Sequence, residues 1–171
     1  MDAPFDAILQ VDTKYAVGQP VPRKEDPTLL RGEGRYTDDI TLPGQAYAVM
    51  VRSSYAHGRI RGIDTTAARA TEGVLGVFTG ADLVAAGLGP MPSGAAFKNR
   101  DGSDMPKPVQ PPLTTDKVRF VGDPVAVVVA ETAKQARDAA EAVIVDVDPL
   151  PAVTTAAKAA APGAPLVHDA T

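Results

Sequence analysis

The sequence predicts an α+β fold: a mixed sheet carrying two β-α-β crossover units, with a long Pro/Gly-rich loop between them. Three observations lead there. Residues 118–153 (VRFVGDPVAVVVAETAKQARDAAEAVIVDVDPLPAV) read as a complete strand, helix and strand. Residues 59–78 read as a second, shorter unit of the same kind. Residues 88–116 carry Pro90, Pro92, Pro106, Pro108, Pro111 and Pro112 among Gly and polar residues, and show no period.

Each element has its own warrant. Residues 1–17 have weak periodicity and read as a loosely held arm ahead of a domain over 18–169. Residues 18–39, rich in charge, Gly and Pro, read as extended backbone docked on that domain. The turn signal Pro43–Gly44 precedes the first clear strand, residues 46–52 (AYAVMVR). Residues 59–63 alternate Ile60 and Ile63 with charge and read as a second strand. Asp64 or Thr65 caps a short helix over 66–70, and Glu72–Gly73 leads into a strand at 74–78. Gly80 or Asp82 opens another short helix that Gly87 ends. The 88–116 segment exceeds the length usual for loops inside compact domains, which predicts a mobile or partner-contacting loop.

The last unit is the best defined. Val125 to Ala130 is an unbroken apolar run rich in β-branched residues, the pattern of a strand covered on both faces. Thr132 with Gln135 matches a capping box. Ala133, Ala136, Ala140 and Val143 share one helical face, while Lys134, Gln135, Arg137, Asp138 and Glu141 occupy the others. Residues 143–147 form a second strand stopped by Pro149 and Pro151. A helix of this length between two strands predicts a right-handed parallel crossover. The Ala/Pro-rich tail after Pro151 reads as an exit segment with at most one short helix.

Composition removes several chemistries. With only 5% aromatic residues and no Trp, Val, Ala, Leu and Ile must build the core. A net charge of -4 argues against an electrostatic nucleic-acid binder. No apolar run approaches the roughly 20 residues needed to cross a bilayer. The acidic N-terminus lacks a secretory pattern, so no membrane partner and a cytoplasmic location are expected. Without cysteine the chain has no thiol nucleophile, disulfide or thiolate for an iron–sulfur cluster. His57 and His168 are the only histidines, too few for a histidine-based zinc site.

The candidate site residues each have a plain alternative. Gly32–Glu33–Gly34 resembles the start of a dinucleotide loop, but Thr37 stands where a third glycine belongs and no apolar strand precedes it; a tight turn is the better reading. Ser53, Ser54 and His57 suggest a nucleophile and base, yet neither serine sits in a G-x-S-x-G elbow, so a polar turn is favoured. Asp38–Asp39 lacks the spaced ligands of a calcium loop and reads as a turn or cap. Gly122–Asp123–Pro124 reads as a sharp turn before the buried strand, with an interface role left open. Arg52, Arg59 and Arg61 lack interleaved aromatics and read as a solvated edge or protein contact. No catalytic, cofactor-binding or metal-binding residue is assigned.

Four segments in order carry a resemblance: residues 31–40 (RGEGRYTDDI), 52–64 (RSSYAHGRIRGID), 73–83 (GVLGVFTGADL) and 118–153. Together they resemble the N-terminal α/β-hammerhead domain of the molybdenum hydroxylase large subunit, the xanthine dehydrogenase, aldehyde oxidase and aerobic carbon monoxide dehydrogenase family. The likeness extends over residues 19–169, and residues 23–40 are most similar to the carbon monoxide dehydrogenase-like branch. Ser54 and Gly58 depart from the family's usual Pro and Ala, which alters turn stiffness and not chemistry. The resemblance implies a holoenzyme that oxidises an aldehyde, an N-heterocycle or carbon monoxide using molybdopterin, 2Fe-2S clusters and FAD. It implies that catalytic and cofactor residues lie outside these 171 residues. The partners implied are the molybdenum-binding remainder of the large subunit and an iron–sulfur subunit, with the 88–116 loop at a partner or substrate-entrance contact. The chain alone is then a scaffold, as a truncated or separately encoded part of the large subunit, and is expected to be inactive. The alternative is a stand-alone binding or assembly module that keeps the fold without the enzyme. A hydrolase built on Ser53 or Ser54 with His57 is the remote third.

Overall fold

A computed structural model describes residues 22–169, which fall into two compact units divided after Pro43. The arm read at residues 1–17, and residues 18–21 of the segment after it, lie outside the described residues. In the first unit the extended reading of 18–39 is corrected by a helix, α1 (Asp26–Leu30), with proline in its first turn. Pro27 suits that position because its missing N–H would have no helical partner there. Gly32 closes the helix with φ of 71°. Its N–H donates to Leu29 O and that of Glu33 to Thr28 O, both at 3.0 Å. That pairing is a Schellman cap, in which a left-handed glycine satisfies the last carbonyls. A single 3₁₀ turn follows over Thr37–Asp39.

The second unit holds β1 (Tyr47–Arg52), β2 (Gly58–Asp64), β3 (Val74–Thr79), β4 (Lys117–Val118), β5 (Pro124–Ala130) and β6 (Ile144–Pro149). Its helices are α2 (Thr66–Arg69), α3 (Gly80–Ala85), α4 (Ala133–Glu141) and α5 (Ala156–Ala159). The α+β class and nearly every element stand where the sequence puts them. The single mixed sheet does not. The strands form two three-stranded sheets, β1-β5-β3 and β4-β2-β6, and every pairing is antiparallel. Each β-α-β unit therefore runs from one sheet to the other: β2 and β6 belong to one, β3 and β5 to the other. The helices connect sheets, and neither predicted parallel crossover forms.

Helix α4 packs on the β1-β5-β3 sheet. Its buried Ala136 and Ala139, followed by Val143, meet Val77 and Val128, with Ala68 of α2 alongside. Burying a valine as fully as Val128 contributes about 1.5–3 kcal/mol. Alanines on the helix let it approach the sheet closely, so a core without Trp still packs tightly. A second cluster of Val118, Val125 and Val147 shares Val51, Ile63 and Val145 with the first. The register slips between Val51, opposite Ala126, and Arg52, opposite Pro124, leaving Val125 as the extra residue. That bulge lets the adjacent Val125 and Ala126 both be buried.

Thr132 caps α4 as read, its Oγ1 accepting the Gln135 N–H at 3.2 Å. The reciprocal half of the capping box differs. The Thr132 hydroxyl donates to Gln135 Oε1 at 2.7 Å, so the glutamine answers the side chain rather than the backbone N–H. The 88–116 segment folds back on itself: Met91 N–H donates to Gln110 O at 2.9 Å, Lys98 bridges to Asp104, and Asn99 N–H reaches Ser103 O at 2.8 Å. Its outgoing arm exposes Phe97 opposite Met105, and its return is anchored by the buried Leu113 and Thr114.

Gly80, the buried first residue of α3, leaves no room for a side chain. A Cβ there would lie 2.7 Å from Leu113 O and 2.9 Å from Thr114 O, both backbone atoms. Alanine would gain up to about 1 kcal/mol in helix propensity, against an overpacking cost of about 1–3 kcal/mol. Gly80→Ala is expected to lower the urea-unfolding free energy; an unchanged or raised midpoint would contradict this packing.

Candidate functional site

Three of the residues that the sequence singles out, Arg52, Ser53 and Asp123, meet where β1, the end of the long loop and the approach to β5 come together. Asp123 is their centre. Its Oδ1 accepts the Thr114 hydroxyl at 2.9 Å and its Oδ2 accepts the Arg119 N–H at 2.9 Å. Its backbone is stapled to β1: Ser53 N–H donates to Asp123 O at 2.9 Å, and Gly122 N–H donates to Ser53 O at 2.8 Å. Arg52 Nη1 adds a bond to Gly122 O at 2.9 Å. The Gly122–Asp123–Pro124 turn is thus the turn the sequence suggests, and its carboxylate organises three segments.

Ser53 and His57 are buried, but they serve the backbone. Ser53 Oγ donates to Tyr55 O at 3.1 Å and accepts the Tyr55 N–H at 3.0 Å, so its hydroxyl is spent within its own turn. His57 Nδ1 donates to Pro151 O at 3.0 Å, and Leu150 N–H donates to His57 O at 3.0 Å. These bonds pin the start of β2 to the exit from β6. Its Nε2 is buried without a partner. Ser54 is exposed. The arrangement is a polar turn and not a nucleophile–base pair.

Lys117 and Arg119 form the other half of the framework, which no local sequence pattern announces. Lys117 Nζ, on a side chain only 8% exposed, donates to both oxygens of Asp169 at 2.8 Å, clamping the C-terminal segment. Arg119 Nη1 donates to Lys117 O at 2.7 Å, and its Nη2 lies 3.6 Å from Asp116. A cleft of about 280 Å³ opens beside these groups, lined by Gln110, Pro111, Arg119, Phe120, Asp123 and His168. At its wall the Asp123 carboxylate is bonded to Thr114 and to the Arg119 N–H, and the Arg119 guanidinium bonds Lys117 O through Nη1 while its buried Nε has no partner.

The remaining candidates separate. Gly32–Glu33–Gly34 is the helix cap described above. Asp39 accepts the Tyr36 N–H at 2.8 Å beside Asp38, a local cap as read. Arg61 pairs with Asp148 at 2.5 Å on the outer face of β2 and β6, while Arg52 sits in the other sheet. Among the described residues no group of three His, Cys, Asp or Glu side chains is placed to hold a metal ion, and no helix is long and apolar enough to cross a membrane. Thr114, Lys117, Arg119 and Asp169 escape sequence reading because their partners come from distant loops with no spacing rule.

Two small antiparallel sheets linked by helices, with polar groups spent on holding loops, define an α/β-hammerhead domain. The family described as aldehyde oxidase and xanthine dehydrogenase, a/b hammerhead domain, matches residues 31–151, and the chain belongs to it. It is 42% identical over 147 residues to the carbon monoxide dehydrogenase large chain of Afipia carboxidovorans, covering 86% of this chain and 17% of that one. It is 41% identical to the nicotine 6-hydroxylase large subunit of Paenarthrobacter nicotinovorans, over 82% of this chain and 16% of that one. A solved Cu,Mo-CO dehydrogenase superposes with a TM-score of 0.70 at 42% identity, over 87% of this chain and 17% of its own. The aldehyde oxidoreductase of Desulfovibrio gigas gives 0.66 at 31%, over 86% and 16%. The chain spans about a sixth of the length of the relatives it matches.

Two outcomes test this framework. Asp123→Ala leaves the Thr114 hydroxyl and the Arg119 N–H unpaired in a buried turn, and is expected to cost about 2–4 kcal/mol. A loss below about 0.5 kcal/mol in urea unfolding, the scale of an ordinary surface change, would contradict the hub. Asp169 is held below its ordinary value of 3.8 by the hydrogen bond from Lys117 and then by the charge of that ammonium. A lowered folded value means the clamp stabilises above the ordinary carboxylate range and fades as pH falls through the folded value. The stability difference between wild type and Asp169→Asn should therefore be largest at neutral pH and vanish on strong acidification. A difference that grew with acid would oppose this.

Proposed function

We propose that this chain is the structural and assembly domain of a molybdenum-cofactor oxidoreductase and supplies no catalytic group itself. The observation that carries the reading is how its buried polar side chains are used. Ser53, Thr114, Asp123 and Lys117 are engaged in bonds that fix loops and the C-terminal segment. Groups so committed hold geometry; they are not free to move a proton or attack a substrate. Membership of the hammerhead family and the likeness to chains named as large subunits support the same role.

The cofactors implied for the holoenzyme are molybdopterin, 2Fe-2S clusters and FAD. The residues here do not fit a cluster, since the sequence has no thiolate to offer. In the cleft beside Arg119 the carboxylate is bonded to Thr114 and to the Arg119 N–H, and the guanidinium is tied to Lys117 O through Nη1. All three groups are accordingly assigned to other polypeptide, and no reaction step runs through this chain. Its partners are the molybdenum-binding remainder of the large subunit and an iron–sulfur subunit, with the 88–116 hairpin and its exposed Phe97 as one contact. The substrate class of the assembly is an aldehyde, an N-heterocycle or carbon monoxide.

Elemental analysis and turnover assays on the purified 171-residue chain test this directly. Molybdenum, iron and flavin well below stoichiometric levels are expected, with no oxidation of any of the three substrate classes. Stoichiometric molybdenum, or turnover, would overturn the reading.

A further inference from the structure

The β1-β5-β3 sheet has two apolar faces, and its own unit covers one. The registers define both. Val49, Val128 and Val77 form one cross-strand row, and Val51, Ala126 and Thr79 the next; these point toward α4 and the core. The intervening rows point the opposite way: Met50, Val127 and Phe78, and beside them Ala48, Val129 and Gly76. No charged or polar side chain interrupts either outward row. Met50 is 45% exposed and Phe78 43%. Leu75, at the bulge beside them, is also exposed.

An antiparallel sheet with one solvated face shows apolar and polar residues in alternation. This one does not, and the contrast lies within the same unit: the outward face of β2 and β6 carries Arg59, Arg61, Asp146 and Asp148. Phe78 is also preset. Its ring lies over Gly76, where a Cβ would stand 2.8 Å from two ring carbons. The missing side chain at Gly76 lets the ring lie flat along the sheet and present its outer side, the large aromatic area that anchors interfaces.

We infer that the outward Met50–Val127–Phe78 face is the surface on which this domain docks the molybdenum-binding remainder of a large subunit, in the same polypeptide or a separate one. This rests on the function proposed above and names the surface that performs it. The occupant follows from the comparisons: in relatives 42% and 41% identical, the matched portion is 17% and 16% of the chain, so the same sheet is embedded in a far larger polypeptide. The match includes β1, β3 and β5, and the solved relatives keep this fold at TM-scores of 0.70 and 0.66.

Photo-crosslinking of the full chain in its native host tests the assignment, with benzoylphenylalanine placed at position 78 or, on the other sheet, at exposed Ile144. Mass spectrometry of the adducts then identifies the polypeptide captured. The probe at 78 is expected to join molybdenum-binding large-subunit sequence, and the probe at 144 to give at least tenfold less of that adduct. Phe78→Asp should reduce recovery of the chain with that polypeptide at least tenfold with its melting curve retained, whereas Ile144→Asp should not. Adducts to a second copy, to another protein or to nothing at position 78, while the molybdenum-binding polypeptide still co-purifies, would overturn this surface and leave the proposed function standing. Failure of any such polypeptide to associate with the wild-type chain would overturn both.

Discussion

Strand β5 is the constraint on which the second unit depends. It supplies backbone partners to β1 on one side and β3 on the other, and its valines point alternately to two apolar faces. One face is filled by α4, which starts three residues after the strand ends and folds back over it. The strand's entrance is fixed by Pro124 and the bulge at Val125, and from there the Asp123 turn reaches Ser53 and Thr114. Moving β5 would therefore displace both sheet edges, the helix and the polar turn together.

The polar framework and the thin core are two answers to one shortage. With few aromatics, the buried side chains are chiefly Val and Ala, which pack well between regular elements but cannot bridge wide gaps between loops. Those gaps are spanned by hydrogen bonds instead: Asp123 to 53, 114 and 119, His57 to the chain after β6, and Lys117 to Asp169. Buried bonds of this kind contribute modestly when formed and cost much more when half broken. Here they fix how the loops lie against the two sheets.

The local elements were legible in the sequence, and their long-range pairing was not. Thr132, the alanines of α4 and the Val125–Ala130 run each carry their signal within a few residues, and the structure places a cap, a helix and a strand there, although Ala139 rather than Ala140 is the fully buried alanine beside Ala136. A strand, a helix and a strand in succession do not say which sheet the second strand joins. β6 pairs with β2 across some eighty residues of chain, a choice set by where Val145 and Val147 can be buried. Helix α1 was missed because charge and glycine dominate residues 18–39, although Pro27 near its start and Gly32 after its end are the usual marks. The Asp123 hub left no sequence signal beyond the turn itself. The pattern of β5, in contrast, says more than the isolated domain displays. It is a strand written for cover on both sides, and among the described residues of its own unit only one side has it.

Hydrogen–deuterium exchange, comparing the free chain with the chain in its native assembly, tests that account most directly. If the bare face of the β1-β5-β3 sheet is where the domain is held, peptides spanning residues 47–52 and 74–79 should gain protection on assembly. Peptides spanning 58–64 and 144–149 should change little. Protection gained by the second sheet, with the first left unchanged, would contradict it.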